Sequence, residues 1–305
     1  MVTGQVVLPA DVELVVVSFR SRAHLEVLLA SWPVGTRVAV VDNSPGAEPL
    51  ADLVDGHPGR RLVADGPGGY AAGINLAVAG STAEHLVFVN PDSRPGVEVL
   101  TALVADLRAD PSLAGVGALP VLADGTPEIG AGGWRPTLRR TLVHATGLHR
   151  RHPTAGLIAL PTVGEPIELD WVCGAVFAVR RSTFTALGGL PEDYHVYSED
   201  LDYGLGALSR GLRVRLRTDL PVRHDAGTSG APRAYGAWLR GRAQAWWYRD
   251  NTGATVAHLS RVALALGSLA RVPLYLSRRR PALAAEARWY ARALVRPGGP
   301  GPGAG

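Results

Sequence analysis

An acidic cluster late in the chain has the composition of a general-base site. The segment SEDLDY, residues 198–203, carries three carboxylates, at Glu199, Asp200 and Asp202. A serine N-cap followed by acids in the first turn also favours helix formation, so the segment is typical of a helix start even without a function. Three carboxylates exceed that need, and adjacent helical residues point about 100° apart. We therefore predict that Glu199 and Asp200 serve different partners, and that one of them accepts a hydroxyl proton.

Two further carboxylates follow apolar runs and would emerge at strand ends. In VVDNS, residues 40–44, Asp42 could meet a nucleotide base or ribose, although Asp, Asn and Ser are also common turn residues. In NPD, residues 90–92, Asp92 would enter the ligand crevice of an open α/β sheet. One or two carboxylates there suffice to hold Mg²⁺ against phosphate oxygens. The alternative for Asp92 is to cap the helix that follows Pro95.

Glycines and histidines supply the remaining candidates. Residues 66–75, GPGGYAAGIN, would let backbone amides approach a diphosphate, although a plain glycine turn is the alternative. Their Gly-x-Gly-x-x-Ala match to a dinucleotide fingerprint is weak, because it follows the third predicted strand rather than the first. His224 is a candidate metal ligand, although most lone histidines are structural. We expect His144, His149 and His152 to be solvated.

These candidates need a scaffold that brings strand ends together. Short β-branched runs alternate with helical spacing, which predicts a mostly parallel sheet flanked by helices, with ligands beyond the carboxyl ends of the strands. The predicted strands are 13–19, 37–41, 61–64, 85–89, 115–119, 168–172, 175–179 and 213–217. The predicted helices are 23–32, 48–54, 70–79, 97–108, 182–187 and one opening at 199, with helices only after 233. Residues 123–165 are expected to form a long functional or mobile loop.

The composition is that of a globular protein. With 305 residues, 47% of them apolar, the chain can form one large domain and an appendage. Its one cysteine, Cys173, excludes a disulfide framework and a thiolate zinc cluster, and fits a reducing cytoplasm. Asp11 and Glu13 interrupt the first apolar run, so we predict no signal peptide and a cytoplasmic location.

Basic charge is concentrated near the C-terminus. The net charge is +4, every Lys or Arg position is arginine, and 233–296 contains few acids, which predicts an anionic partner surface. No nucleic-acid motif accompanies it. Residues 254–276 are long enough to span a bilayer, but Arg261 and Arg271 would each cost about 2.5–3.5 kcal/mol in its core. Peripheral contact with the inner face of the plasma membrane is therefore expected, with packing or a homodimer as the alternative. The tail, 297–305, is predicted to be disordered.

Taken in order, six segments resemble the family 2 inverting glycosyltransferases of GT-A fold, particularly the rhamnosyltransferase-like branch. They are VVVSFRS, VVDNS, GPGGYAAGINLAV, HLVFVNPDSRP, DWVCGAVFAVRRSTFTALGGLPEDYHVYSEDLDYGLGALSRG and VRHDAGTS. They cover roughly 13–230, and their order is more specific than any one of them. The resemblance implies a catalytic domain at 1–230, with a donor half at 1–120 and an acceptor half at 121–230. A basic helical extension would follow at 231–296.

The resemblance also implies roles for individual residues. The donor would be bound by Ser18, Asp42, Gly73, Asn75, Asn90 and Asp92. The acceptor would be bound by Trp171, Gly174 and Glu199. Asp92 and His224 would hold a divalent cation, Mg²⁺ or Mn²⁺, and Asp200 would be the catalytic base. Asn90 stands where the common Asp-x-Asp pattern has its first acid, which removes one charged ligand.

The implied reaction is one displacement that inverts the anomeric carbon. The acceptor hydroxyl attacks, Asp200 takes its proton, and the cation stabilises the departing diphosphate. The branch suggests rhamnose as the sugar, and the acceptor could be a lipid-linked saccharide, a polysaccharide or a secondary metabolite. Trp134, Trp171, His195 and Tyr197 could supply stacking surfaces. The rival functions are a nucleotidyltransferase and a non-catalytic scaffold that binds a membrane or partner.

Overall fold

The computed structural model describes residues 8–63, 68–225 and 232–302, in a chain that forms two compact units. Unit 1 contains Met1–Gly132, Pro161–Asp193 and Glu199–Gly230. Unit 2 contains Gly133–Leu160, Tyr194–Ser198 and Ala231–Gly305. The acceptor half predicted over 121–230 is therefore divided, because part of it groups with the C-terminal helices.

Unit 1 is built on one large sheet. The strands of the chain are β1 (Val12–Ser18), β2 (Val38–Asp42), β3 (Arg60–Val63), β4 (His85–Val89), β5 (Leu113–Val121), β6 (Gly132–Gly133), β7 (Ile167–Leu169), β8 (Trp171–Val172), β9 (Val176–Arg180) and β10 (Arg213–Arg223). Eight of them form a sheet of order β3-β2-β1-β4-β9-β5-β10-β7. The neighbours among β1 to β4 are parallel, as are β5 and β10, whereas β9 and β7 run antiparallel to their neighbours. The predicted mostly parallel α/β sheet is confirmed.

Helices flank this sheet and build most of unit 2. They are α1 (Arg22–Ala30), α2 (Ala51–Val54), α3 (Tyr70–Ala79), α4 (Val97–Ala109), α5 (Leu138–Thr146), α6 (Arg181–Leu187), α7 (Glu199–Ser209), α8 (Arg233–Asn251), α9 (Ala254–Leu269), α10 (Val272–Ser277) and α11 (Pro281–Val295). The bounds of α3 and β4 are those predicted. Every residue of β1 and β4 is buried, as their β-branched and apolar runs require of central strands.

The tenth strand is longer than its apolar pattern indicates. We predicted that it ends at residue 217, but it resumes after a register shift between Arg217 and Pro221 and continues to Arg223. The shift is consistent with Pro221, which has no amide hydrogen to donate to a ladder. The continuation lets the amide of His224 donate to the Val121 carbonyl at 2.9 Å, so His224 lies beside the end of β5.

The long loop predicted at 123–165 is wrong in part, because it contains α5 and a 3-10 turn at Leu148–Arg150. The Thr137 side chain caps α5 by accepting a hydrogen bond from the Arg140 amide, and Gly147 ends the helix in the left-handed region at φ 80°. Arginines and histidines interrupt the apolar stripe of this helix and hide its period.

Close helix contacts in unit 2 depend on glycine. A Cβ on Gly241 of α8 would lie 3.0 Å from the Ala293 side chain in α11, and one on Gly267 of α9 would overlap the Ala145 backbone in α5. The end of the chain differs from the predicted disorder up to residue 302, since Gly301 packs on the Trp238 ring. Residues 303–305 lie outside the described residues.

A glycine pair tests the packing of the central sheet. A Cβ on Gly115 in β5 would overlap the ring of Phe177, whereas one on Gly206 in α7 meets nothing within 4 Å. We expect Gly115→Ala to lower the free energy of unfolding by about 1–3 kcal/mol through overpacking. Gly206→Ala should raise it by about 0.5–1 kcal/mol through helix propensity. Urea unfolding measures both, and equal effects would contradict this packing.

Candidate active site

A buried carboxylate and a buried imidazole meet at the carboxyl edge of the sheet. Asp92 follows β4 and is 4% exposed, and His224 follows β10 and is 7% exposed. Asp92 Oδ1 lies 3.2 Å from His224 Nε2. The side-chain nitrogen of Asn90, Nδ2, lies 3.5 Å from His224 Nε2. Asp92 does not cap the helix that follows Pro95, because Gly96 occupies the N-cap of α4 and no side chain caps that helix.

The chain segment after β4 brings these two residues together across the sheet. Two strands, β9 and β5, separate β4 from β10. Ser93 donates to the Ala175 carbonyl at the start of β9, and forms an antiparallel bridge with His224. The Asp225 amide then donates to the Asp92 carbonyl at 3.0 Å. The segment therefore crosses the strand ends and fixes Asp92 and His224 through their backbones.

A residue that the sequence analysis missed completes this cluster. Glu128 Oε2 lies 2.6 Å from His224 Nδ1, on the opposite side of the ring from Asp92. Burial lowers the pKa of His224, but hydrogen bonds to Asp92 and Glu128 outweigh burial and raise the pKa to about 10. No sequence signal marks Glu128, because it lies in an irregular stretch whose pairing appears only once the sheet has formed.

A second acidic pair opens α7, as predicted. Burial raises the pKa of Asp200 to about 6, although backbone hydrogen bonds from Leu201 and Gly174 oppose the change. Burial and then the charge of Asp200 raise the pKa of Glu199 well above its usual range. Glu199 is 6% exposed, and its Oε2 has no hydrogen-bond partner among the described residues. Burial therefore disfavours the ionised form of both carboxyls, and the pKa of about 6 leaves Asp200 as a base of moderate strength at neutral pH.

Gly174 connects the acidic pair to α3. Its amide donates to Asp200, and its carbonyl accepts a hydrogen bond of 3.1 Å from the Tyr70 hydroxyl. The neighbouring Cys173 donates its amide to the Ala131 carbonyl. Burial first, and then the carboxylates of Asp200 and Glu128, raise the pKa of the Cys173 thiol well above its usual range. The thiol is thus close enough to both acidic clusters to respond to their charge.

The ends of β1 and β2 form a separate polar group. Ser18 and Asp42 are register partners, and the Ser18 hydroxyl lies 3.0 Å from that of Ser21. Asp42 Oδ1 accepts a hydrogen bond of 2.9 Å from the Ser44 amide, so this oxygen stabilises the turn after β2. The Asn43 side chain donates to the Gly69 carbonyl, which ties this edge to the turn before α3. Residues 64–67 of that glycine-rich turn lie outside the described residues.

Two residues predicted to bind the donor have structural contacts in this fold. Gly73 is buried, and a Cβ there would lie 3.1 Å from Val17 and 3.3 Å from Val41, so glycine allows α3 to approach the sheet. Asn75 donates to the Leu190 carbonyl and accepts from the Leu190 amide, which holds the loop after α6. Both positions are explained by packing and loop anchoring without a ligand.

The aromatic candidates are placed in different units. Trp171 lies in unit 1, where its backbone packs on Gly204 of α7, whereas Trp134, His195 and Tyr197 lie in unit 2. Within unit 2, Arg140 stacks on Trp134 and Arg240 on Tyr197.

Two of the three histidines predicted to be solvated are not. His144 and His149 stack with ring centroids 4.3 Å apart. Burial lowers the pKa of His144 to about 3. His152 is exposed, as predicted.

Another cluster with metal-ligand chemistry lies at the opposite edge of the sheet. Asp11, Glu84 and His85 bring ligand atoms within 4.8 Å of one another at the start of β1 and β4. Arg108 donates two hydrogen bonds to Asp11, and His85 lies 3.1 Å from the same carboxylate. The ion pair between Arg108 and Asp11, with the contact from His85, explains the cluster as a structural one.

The chain is similar to known sugar transferases. No family model matches it. It is 29% identical to the N-acetylglucosaminyl-diphospho-decaprenol L-rhamnosyltransferase of Mycobacterium tuberculosis, over 90% of this chain and 97% of that protein. Its structure resembles a mannosyltransferase from Pyrobaculum calidifontis in complex with GDP-Man and Mn²⁺, with a TM-score of 0.54, 22% identity, and coverage of 95% of this chain and 84% of that one. It also resembles GalNAc-T7 with UDP, GalNAc and Mn²⁺, with a TM-score of 0.54, 13% identity, and coverage of 93% and 56%.

The fold is that of the GT-A glycosyltransferases, and the sequence similarity supports a glycosyltransferase. Within that class, the mycobacterial similarity confirms the resemblance to the rhamnosyltransferase-like branch of family 2, and it extends over nearly the whole chain.

Removing the charge of Asp200 should stabilise the fold. A carboxyl whose pKa rises from 3.8 to about 6 on folding destabilises the native state when ionised, so its cost is absent below pH 3.8 and complete above about pH 6. We expect Asp200→Asn to raise the free energy of unfolding, and to raise it more at pH 8 than at pH 5. Urea unfolding at both pH values measures this. A variant less stable than the wild type at pH 8 would refute the raised pKa, and Asp193→Asn in the exposed preceding loop is the control.

Proposed function

We propose that the chain transfers a sugar from a nucleotide-diphosphate donor to an acceptor hydroxyl by a single inverting displacement. The observation that carries this proposal is the pair of clusters in unit 1, a carboxylate with an imidazole at one strand edge and an ionisable base at the start of α7. The single displacement needs one base, and Asp200 has a pKa close to the working range of a general base at neutral pH.

Asp92 and His224 are the residues that would hold a divalent cation. Ligands at right angles around an ion with bonds of about 2.1 Å are about 3 Å apart, and Asp92 Oδ1 and His224 Nε2 are separated by 3.2 Å. A carboxylate suits Mn²⁺ or Mg²⁺, an imidazole favours the transition metal of the two, and Asn90 adds a neutral side chain to the same edge. When bound, such a cation neutralises charge on a departing diphosphate.

Glu128 is a positioning residue for His224 in this proposal. A metal-bound histidine commonly donates a hydrogen bond from its other ring N–H to a carboxylate. This bond fixes the tautomer and the orientation of the ring. The contact of 2.6 Å between Glu128 and Nδ1 supplies that partner and leaves Nε2 on the side of Asp92.

Asp200 is the proposed catalytic base, and Glu199 acts through it. Ionised Asp200 takes the acceptor proton, and the raised pKa of Glu199 disfavours a second negative charge beside it. Gly174 donates to Asp200 and is itself held by Tyr70, so the base is oriented by a chain of hydrogen bonds. Trp171 and Gly174 belong to the segment beside the start of α7, and we propose that they contact the acceptor.

Rhamnose on a nucleotide diphosphate is the donor that we propose first, with a polyprenyl-diphosphate-linked saccharide as acceptor. The mycobacterial relative is named for that sugar and for such an acceptor, and the structural neighbours hold GDP-Man or UDP. We place the reaction in the cytoplasm, which the single unpaired thiol of Cys173 fits.

The metal assignment predicts graded losses of Mn²⁺ affinity. We expect Asp92→Ala to abolish tight binding, and Glu128→Ala to weaken binding about 10–100-fold because His224 loses its orientation. Glu128→Gln should be milder, since its amide oxygen can still accept from Nδ1. Titration calorimetry with Mn²⁺ alone measures these affinities, with exposed Glu165→Gln as the control. Wild-type affinity in a folded Glu128→Ala protein would remove Glu128 from the site.

The base assignment predicts separate effects on binding and turnover. Asp200→Asn should reduce transfer by at least about 10²–10⁴-fold and leave the affinity for UDP or GDP with Mn²⁺ within a few-fold of the wild type. Wild-type kcat/KM should fall as the pH drops below about 6. A panel of nucleotide rhamnose, mannose and glucose donors with a polyprenyl-diphosphate saccharide tests transfer, and Asp193→Asn is the control. Undiminished turnover by Asp200→Asn would exclude this base, and release of pyrophosphate from a nucleoside triphosphate would favour a nucleotidyltransferase.

A further inference from the structure

One helical stretch of unit 2 exposes an apolar surface that unit 2 leaves uncovered. Among the described residues, Ala254–Ser277 is long and apolar enough to cross a membrane, yet only 28% of its most apolar window is buried. A core helix of a water-soluble protein would be mostly buried. The stretch comprises α9 and α10, and the surface consists of Leu259, Leu266, Leu269, Leu274 and Leu276.

The exposed side chains of α9 form one stripe. At about 100° per residue, Leu259, Leu266 and Leu269 lie within an arc of about 80°. Leu266 is 62% exposed, and the other two are more than two-fifths exposed. The opposite side is committed to unit 2, since Ser260 and Leu264 are buried and Ser268 donates to the Ala287 carbonyl in α11. A helix with one side packed in this way can lie in a membrane surface, but it cannot cross the membrane without leaving unit 2.

Both arginines within this stretch point away from the stripe. Arg261 donates to the carbonyls of Leu294 and Val295 at the end of α11. Arg271 donates to the carbonyls of His144 and Ala145 at the end of α5. Each guanidinium thus satisfies carbonyls at a helix C-terminus, where positive charge is favourable. The charges that argue against a membrane in the sequence are therefore structural, and the exposed stripe carries no charged residue.

The charge around the stripe selects an anionic partner. Residues 231–305 contain twelve arginines and only two acidic residues. Arg278 and Arg280 are exposed directly after α10, and neither has an ion-pair partner among the described residues. A second copy of the chain would bring the same arginines towards each other in a symmetric pair, which opposes association. An anionic lipid surface instead offers acyl chains to the leucines and phosphates to the arginines.

We propose that α9 and α10 bind flat on an anionic membrane surface, with this leucine stripe at the headgroup boundary and the flanking arginines on lipid phosphates. The proposal concerns where the protein is held and does not depend on which sugar it transfers. Binding requires both the leucine stripe and the arginines. It should therefore need anionic lipid and weaken as salt screens the arginines.

Co-sedimentation of the full chain with vesicles tests this. We expect the wild type to bind vesicles containing phosphatidylglycerol at low salt, to be released at high salt, and to ignore phosphatidylcholine vesicles. The double variant Leu259→Gln/Leu266→Gln should bind about tenfold more weakly or worse. Val34→Gln/Val163→Gln is the control, because it removes two apolar side chains of unit 1 that are also more than half exposed.

Three results would overturn the proposal. They are failure of the wild type to bind anionic vesicles at low salt, equal loss in the control, and a leucine variant that binds vesicles normally. If the wild type is instead a lipid-free dimer in sedimentation velocity and the leucine variant is a monomer, the stripe is a self-association surface. Mn²⁺ affinity and unfolding midpoints of both variants confirm that the fold is intact, and they separate this outcome from failure of the proposed reaction.

Discussion

The contact between Asp92 and His224 is the constraint on which the site depends. The two residues follow strands that are not neighbours, and they meet because the chain after β4 crosses the ends of β9 and β5. Backbone hydrogen bonds on both sides of the contact hold it, so the side chains do not fix their own positions. A buried carboxylate needs a compensating positive charge or proton donor, and His224 supplies it. Glu128 then needs the same imidazole, which links the stretch after β5 to the cluster.

The start of α7 is organised in the opposite way. Asp200 and Glu199 share a poorly solvated position without an arginine or histidine beside them among their described contacts, and their pKa values rise. Ionising either carboxyl at this position therefore carries a cost to folding. Protein sites that bear such a cost are expected where the chemistry needs a base of moderate strength. The two clusters therefore differ in how their carboxylates are balanced. At the strand edge His224 contacts both Asp92 and Glu128, whereas at the start of α7 no cationic side chain among the described residues balances Glu199 and Asp200.

Much of this arrangement could be predicted from the sequence, because the relevant signals are local. Asp92 directly follows a strand with clear apolar character, whereas His224 follows β10, whose apolar residues alternate with polar ones and whose predicted end lay at residue 217. Parallel strands place both ends at one edge of the sheet. Glu128 could not be found, since its partner is 96 residues away and its own surroundings lack a period. The donor roles predicted for Gly73 and Asn75 could not be separated from packing, because a glycine-rich helix start has the same pattern whether it faces a phosphate or packs closely on a sheet. The role of Arg261 and Arg271 likewise depends on which carbonyls lie nearby, which no one-dimensional pattern contains.

The half-buried thiol of Cys173 makes the chain convenient for spectroscopy. It is the only sulfhydryl group, and burial together with two neighbouring carboxylates keeps it protonated at neutral pH, when alkylating reagents need a thiolate. A cysteine introduced at an exposed position would then react alone, without prior removal of the native one. A nitroxide or fluorophore could thus report the depth of immersion or the local polarity at one chosen residue in an otherwise unaltered protein.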